Sequence, residues 1–442
     1  MLATMTAAQI NIRILLALAV VIAGSRLVGW AISKIGQPRV HGEILAGILL
    51  GPSLLGLLWP RALGFLFPAE IIGALKVLAQ VGLVLFMFMI GLELDLRRVR
   101  GQGHKAVVIS QASILAPVLL GAALAVWLYG RFGGGVGRLG FALFFGAAMA
   151  ITAFPVLARV LQETGLSRSR IGPLTITCAA VNDVMAWCIL AVVLAIVRSS
   201  GAGVAVRTVG LSVAFVVGML AVARPALARI GTIPLWFALC LALLCAWLTE
   251  QIGIHAIFGA FMAGAIMPRR PQLQRDVLDR LEHAVLTLLL PVFFVVVGLS
   301  TRVDLLRGWL LWGTTVLIIA TAVAGKWGGA MLAARATGER WQDAAAIGIL
   351  MNTRGLTELI ILSVGLELGV ISTTIFTMMV LMALTTTMMA TPLLALVSPM
   401  YHRGMTAEEV PADEFFPDLP EPDPDGIPAG NGRKSGSLSP HE

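Results

Sequence analysis

Apolar runs of about twenty residues alternate with short polar connections along this chain, from near its N-terminus to Ser398. A helix of about 20 apolar residues crosses a ~30 Å hydrocarbon layer. The alternation predicts thirteen such spans, at roughly 9–31, 41–58, 71–93, 104–128, 139–162, 171–197, 205–224, 233–249, 253–268, 281–300, 308–334, 342–368 and 374–398. The expected fold class is therefore an all-α polytopic membrane protein, with a single membrane domain over residues 1–400. The first span carries Arg13 and Arg26 and lacks a short apolar core followed by a small-residue cleavage site, so it is expected to be a retained helix rather than a signal peptide.

Two spans interrupt their own apolar pattern. The fifth reads AMAITAFPVLARVL, where Pro155 removes an amide donor and disfavours helix at Phe154. The twelfth reads IGILMNTRGLTELIIL, where Asn352, Thr353, Arg354 and Gly355 put polar and flexible residues at membrane depth. A proline kink and a misplaced loop are the bland explanations. A weak repeat argues against them. Gly91 to Gly101 reads GLELDLRRVRG and Gly298 to Gly308 reads GLSTRVDLLRG, aligned without a gap at an offset of 207. These stretches close the third and tenth spans, and an odd separation of seven spans implies inverted topology, common in secondary transporters. The expected halves are about 9–200 and 233–398, and the same offset pairs the fifth span with the twelfth. Broken helices at matching positions of inverted halves point to a transport site.

Composition supports the membrane reading: 58% of residues are hydrophobic and 13% are charged, against about 25% charged in soluble domains. The net charge of +8 could suggest nucleic acid, but the basic residues sit in short loops between apolar helices, where they orient the chain. No nucleic-acid partner is expected. Lys and Arg in the connections after odd-numbered spans, with the C-terminal tail, total 20, against 7 after even-numbered spans. The excess places the C-terminus in the cytoplasm and, thirteen being odd, the N-terminus outside. Residues 401–442 form an acidic, Pro-rich stretch whose composition predicts a disordered cytoplasmic tail. No G-x-G-x-x-G follows Ser398, so no nucleotide-sensing domain is expected there. Arginine exceeds lysine 27 to 5, the pattern of a GC-rich bacterial genome, so a bacterial inner membrane is the expected location.

The candidate chemistry is sparse. All four cysteines lie in apolar spans as small hydrophobes, and the six histidines lie mostly at span ends or in the tail, in no ligand-spaced cluster. No disulfide, cofactor or resident metal site is expected. Glu43, Glu93 and Glu250 lie near span ends, where contact with headgroups or water is cheap. Asp183, within TCAAVNDVMAWCIL, is different: an ionised Asp at the bilayer centre costs at least ~2.5 kcal/mol, so it must face protein, water or a partner. Its oxygens suit Na⁺ or K⁺ and also accept a proton, and competition for one such site suffices for exchange. The site needs no chemistry beyond binding, so no enzyme is expected. Half-helix ends carry about half a charge each, and Arg354 and Glu358, four apart, could neutralise those ends or each other. Lys326 reads either as an ion-pair partner of Asp183 or as a snorkelling lysine. Gly325, Gly328 and Gly329 beside it favour close helix approach and the first reading.

The motifs ITAFPVLARVLQETGL, AAVNDVMAW, GLELDLRRVR, GKWGGA and NTRGLTELIIL together resemble the membrane domain of the monovalent cation:proton antiporter-2 family over about residues 10 to 398. The resemblance implies the sodium/proton-antiporter fold, with a dimerisation domain and a core in which two broken helices cross beside an acidic residue. It implies exchange of Na⁺ or K⁺ for H⁺ by alternating access, with the core sliding against the scaffold, and a homodimer in the lipid bilayer. By that resemblance the fifth span, with Thr152 and Pro155, and the twelfth, with Thr353 and Arg354, are the crossed pair, and Thr152 is expected to bind ion or proton together with Asn182 and Asp183. Asn182 and Asp183 match the family's ion-site dipeptide, and Lys326 matches a basic residue that pairs with the site carboxylate. One departure stands out: electrogenic relatives tend to carry two adjacent acids with lysine, electroneutral ones Asn-Asp with arginine, and this chain combines Asn-Asp with lysine.

Three rival functions have separate signatures. A potassium channel-like efflux system needs a continuous pore and usually repeated filter segments. A membrane aspartyl protease needs two embedded aspartates sharing a proton, and Asp183 is the only one deep in a span. A cation-coupled symporter of an organic anion on the same fold would take up solute without proton countertransport.

Overall fold

The computed structural model of the chain describes residues 7–34, 39–93, 103–133, 135–163, 166, 169–198, 202–268, 270 and 278–402. Among these residues all regular structure is helical, as expected where every backbone amide must be satisfied inside lipid. The helices are α1 (Ala7–Ser33), α2 (Arg39–Leu50), α3 (Ala69–Glu93), α4 (Gly103–Phe132), α5 (Arg138–Met149), α6 (Phe154–Glu163), α7 (Ile171–Arg198) and α8 (Ala202–Gly218). They continue with α9 (Leu235–Ile252), α10 (Ala256–Ile266), α11 (Leu290–Ser300), α12 (Trp309–Val323), α13 (Trp341–Met351), α14 (Leu356–Glu367), α15 (Thr373–Met388) and α16 (Ala390–His402). Wider π-helical turns lengthen three spans: Met219–Ala223 after α8, two before α11, and Ala324–Gly328 after α12.

Nine described helices are long and apolar enough to cross a membrane, and α13 with α14, bent by 43°, makes a tenth span. The second, fifth and ninth predicted spans hold shorter apolar helices, over 42–58, 138–149 and 256–266. Proline and glycine account for the shortening. Gly51-Pro52 interrupts the second span, and Gly253, with a left-handed φ of 100°, closes α9 and forces α10 to start afresh.

Two helix groups emerge. In the first, α3 packs on α10 and α2 packs on α11 and α1. The contacts mirror the repeat seen in the sequence: a Cβ on Gly91 would lie 2.1 Å from the Phe261 carbonyl of α10, and one on Gly298 would lie 2.2 Å from Gly47 of α2. Two repeat-equivalent glycines thus bring equivalent helix pairs into backbone contact. Most of the first copy, residues 94–102, lies outside the described residues, as do the loop arginines 97, 98 and 100 and the tail from 403.

The second group contains α4, α5, α6, α7, α12 to α16 and the helix Gly329–Ala336 that extends α12. At its centre Gly325 meets Pro117 of α4, and Gly329 meets Ala112. Gly328, expected to join them, faces open space. The apolar core is divided. A large cluster unites the first group with one half of the second, through contacts such as Trp187 of α7 against Phe258 of α10, rings 5.6 Å apart. A smaller cluster occupies the other half of the second group alone, where α4, α7 and α13 begin.

Candidate functional site

The two interrupted spans cross between these clusters. α5 stops at Met149, Ile151 to Ala153 have no regular structure, and α6 restarts at Phe154. Pro155 is the second residue of α6, a position that does not use its missing amide, so the proline starts a half-helix and does not kink a continuous one. α13 stops at Met351 and α14 restarts at Leu356, leaving Asn352 to Gly355 between them. The breaks satisfy each other: the Ala153 amide donates to the Thr353 carbonyl at 3.1 Å and the Thr152 hydroxyl donates to the Met351 carbonyl at 3.0 Å. Thr387 of α15 receives the Arg354 amide at 2.8 Å and lies equally close to its carbonyl. A side chain at Gly355 would meet Val156 at 2.7 Å, so the crossing requires glycine there.

Stopping α5 in mid-membrane exposes carbonyls carrying about half a negative charge. Two cations answer it. The Arg354 guanidinium donates to the Met149 carbonyl at 2.6 Å and the Ala148 carbonyl at 3.4 Å, and to Glu358 Oε1 at 2.9 Å. The Lys326 ammonium donates to the Ala150 carbonyl and, at 3.3 Å, to the Ser113 carbonyl of α4. Lys326, Arg354 and Glu358 are fully buried. The π turn Ala324–Gly328 carries Lys326, and such turns re-aim a side chain at little cost. Arg354 and Glu358 therefore neutralise both a helix end and each other.

Asn182 and Asp183 sit in the middle of α7, against the crossing, and are 0% and 5% exposed. The Asn182 amide donates to the Ser113 hydroxyl at 2.9 Å, leaving Asn182 Oδ1 without a partner. Asp183 faces the start of α6, whose Phe154 amide bonds its carboxylate, and Asp183 Oδ1 is buried without a partner. The positive end of a half-helix thus supports a carboxylate that still has an oxygen to offer. The expected ion pair between Lys326 and Asp183 is not a direct contact in this structure: Lys326 spends its donors on carbonyls and acts on Asp183 at longer range. Asp183 is also not the only deep carboxylate, because Glu358 is equally sealed.

Such an arrangement offers oxygen ligands and a proton acceptor at one place, and comparison with known proteins identifies the family. The chain matches the transmembrane sodium/hydrogen exchanger family over residues 16–397. It belongs to that family. A Na(+)/H(+) antiporter of Synechocystis, NhaS4, is 43% identical over 86% of this chain and 96% of its own length. The Arabidopsis cation/H(+) antiporter 18 is 38% identical over 87% of this chain, and the yeast K(+)/H(+) antiporter 1 is 33% identical over 84%. The chain spans 48% and 45% of those two proteins. In fold it resembles the sodium proton antiporter MjNhaP1 of Methanocaldococcus jannaschii, with a TM-score of 0.64 over 90% of this chain at 15% identity.

Several residues of this exchanger's crossing escaped the sequence reading. Ser113, Thr387 and the carbonyls of Ala148 to Ala150 carry no signature, since a backbone carbonyl is common to every residue. Glu43 is buried, and His255 caps α10 by accepting the Ile257 amide at 3.5 Å, so neither is the solvated interfacial group expected. Glu250 is exposed and accepts the Ala256 amide at 2.8 Å, while the Glu93 side chain lies outside the described residues. Cys178 and Cys245 are buried and Cys188 and Cys240 exposed, all four as free thiols.

Proposed function

We propose that this chain exchanges a monovalent cation, Na⁺ or K⁺, for H⁺ by alternating access, with Asp183 as the site that cation and proton share. The observation that carries the reading is the Asp183 and Asn182 pair of buried, unpartnered oxygens, held at the crossing of two broken helices. A dehydrated alkali cation needs several oxygen ligands, and the two free side-chain oxygens with the unwound carbonyls of the crossing supply that chemistry. Thr152 serves the crossing by tying the Ile151 to Ala153 break to the end of α13. Lys326, Arg354 and Glu358 hold the charge balance while Asp183 alternates between its two partners. The relatives named for Na⁺ and K⁺ exchange support the reaction class and leave both cations in view.

The same reading makes residues 1–400 the transport unit, with the group around α4, α7 and α13 moving against the group around α2, α3 and α10. It places the C-terminus in the cytoplasm of a bacterial cell and pairs the chain as a homodimer in the inner membrane. The test is proton release in proteoliposomes containing a pH indicator, with Na⁺, K⁺ and Li⁺ offered separately. Asp183→Asn preserves shape while removing the proton-binding group, so it is expected to abolish cation-dependent proton movement. Exchange retained above about a tenth of the wild-type rate, little more than one decade, rejects Asp183 as the shared site.

A further inference from the structure

Asn182 and Lys326 belong to different spans, yet one turn of α4 holds both. Ser113 is fully buried in that turn, and its hydroxyl donates to the Ser110 carbonyl at 2.9 Å, three residues back in the same helix. The same hydroxyl oxygen receives the Asn182 amide at 2.9 Å. Four residues further on, Pro117 stands inside α4. A helical carbonyl ordinarily receives the amide four residues ahead, and proline has none to give. The Ser113 carbonyl is thereby released from the helix, and it takes the Lys326 ammonium at 3.3 Å. Packing fixes the turn from outside as well: Gly325 meets the Pro117 backbone and Gly329 meets the Ala112 carbonyl, with no room for a side chain at either glycine.

Counting hydrogens then fixes the Asn182 amide. A serine hydroxyl carries one hydrogen, and Ser113 gives it to Ser110. Toward α7 it can only accept. A flipped Asn182 would set its oxygen against an oxygen with no hydrogen to share, two acceptors facing each other. The amide nitrogen takes that place instead, and Oδ1 falls on the other branch of the side chain, buried and without a partner. Turning the amide over would exchange the two atoms and put N–H hydrogens where a cation needs an oxygen.

We propose that Ser113 sets the cation affinity of the exchanger: its hydroxyl locks the Asn182 amide in the one orientation that leaves Oδ1 free to ligate the ion. This rests on the exchange reading above. Ser113 is a positioning residue, touching neither the ion nor the carboxylate that carries the proton, and it acts through Asn182. Without the hydroxyl the amide turns either way, and the orientation with N–H outward repels a cation. The Asp183 carboxylate is untouched by that change. So is the seat of Lys326, because the Ser113 carbonyl belongs to the backbone and survives any substitution of the side chain.

The experiment follows proton release by the full chain in proteoliposomes as Na⁺ or K⁺ is raised, giving a half-saturating concentration and a maximal rate for each variant. S113A is expected to raise the half-saturating concentration about tenfold, the worth of one good hydrogen bond, with a maximal rate within about twofold of wild type. N182A is expected to raise it at least as far. The double variant S113A/N182A should saturate where N182A does, since no amide is left to orient. Three results overturn the proposal: an S113A or N182A that saturates with the wild type, an S113A that loses maximal rate alone, and a double variant in which the two effects multiply. If N182A is silent, S113A against wild type decides alone. Should S113A fail to fold, S113C takes its place with the same outcomes, because a thiol of nearly the same shape is only a weak acceptor. A wild type without cation-dependent proton movement would sink the exchange reading itself, whereas a live exchanger with an unmoved half-saturation in S113A sinks only the role of Ser113.

Discussion

At the scale of single residues, the site is defined by what is left unbonded. Buried acceptors are almost always paired, yet Asp183 Oδ1 and Asn182 Oδ1 are not. Asn182 is tied to Ser113 by its amide and so turns its oxygen away from that contact. Replacing it by aspartate sets two carboxylates side by side, and like-charge repulsion raises the protonation range of one of them. The pH at half-maximal exchange of Asn182→Asp is expected to move by about a unit or more; a pH profile that overlays the wild type would mean residue 182 points away from the ion. Asp183 was legible because a carboxylate inside an apolar run has so few harmless explanations. Lys326 was legible as a buried cation, though not its partner: the sequence suggested Asp183, and the structure gives it carbonyls. Unsatisfied helix ends also attract a cation, and they cannot be read from residue type.

At the scale of elements, both breaks were visible, in Pro155 and in Asn352 to Gly355, because residues that disrupt helix at membrane depth are rare. Their hydrogen-bonded crossing was not visible, since the contact between Ala153 and Thr353 joins residues 200 positions apart through backbone alone. Helix proximity followed the glycine pattern imperfectly. Across the wider π turn Ala324–Gly328 the pair four apart, Gly325 and Gly329, takes the face toward α4, while Gly328, three from Gly325, is turned away. A Cβ at Gly325 would lie 2.7 Å from the Pro117 backbone, so Gly325→Leu must push α12 from α4 and draw Lys326 off its carbonyls. The cost is about 1–3 kcal/mol by the measure of overpacked cores. Thermal unfolding in detergent should fall by several degrees, with Gly328→Leu as the control expected to be near wild type. Equal losses at both positions would show that the close approach is not what glycine serves here.

At the scale of the whole molecule, two helix groups meet at an aromatic seam in which Trp187, four residues beyond Asp183, packs on Phe258 and Phe261 of α10. If transport moves one group past the other, that contact must break in every cycle. A Trp187→Cys/Phe258→Cys pair in a chain without other cysteines, bridged by a bifunctional thiol reagent, should stop exchange, and reduction of a cleavable bridge should restore it. Undiminished exchange in fully bridged protein would rule out relative movement at this seam. The overall fold was legible because apolar length and inverted repeats survive at low resolution, whereas the seam depends on which faces of α7 and α10 meet. The divided apolar core carries a further meaning. Where the large cluster joins the two groups, oily side chains bridge them; the smaller cluster, where α4, α7 and α13 begin, lies within the second group alone. Sliding one group past the other would therefore part side chains of the large cluster and leave the smaller one intact.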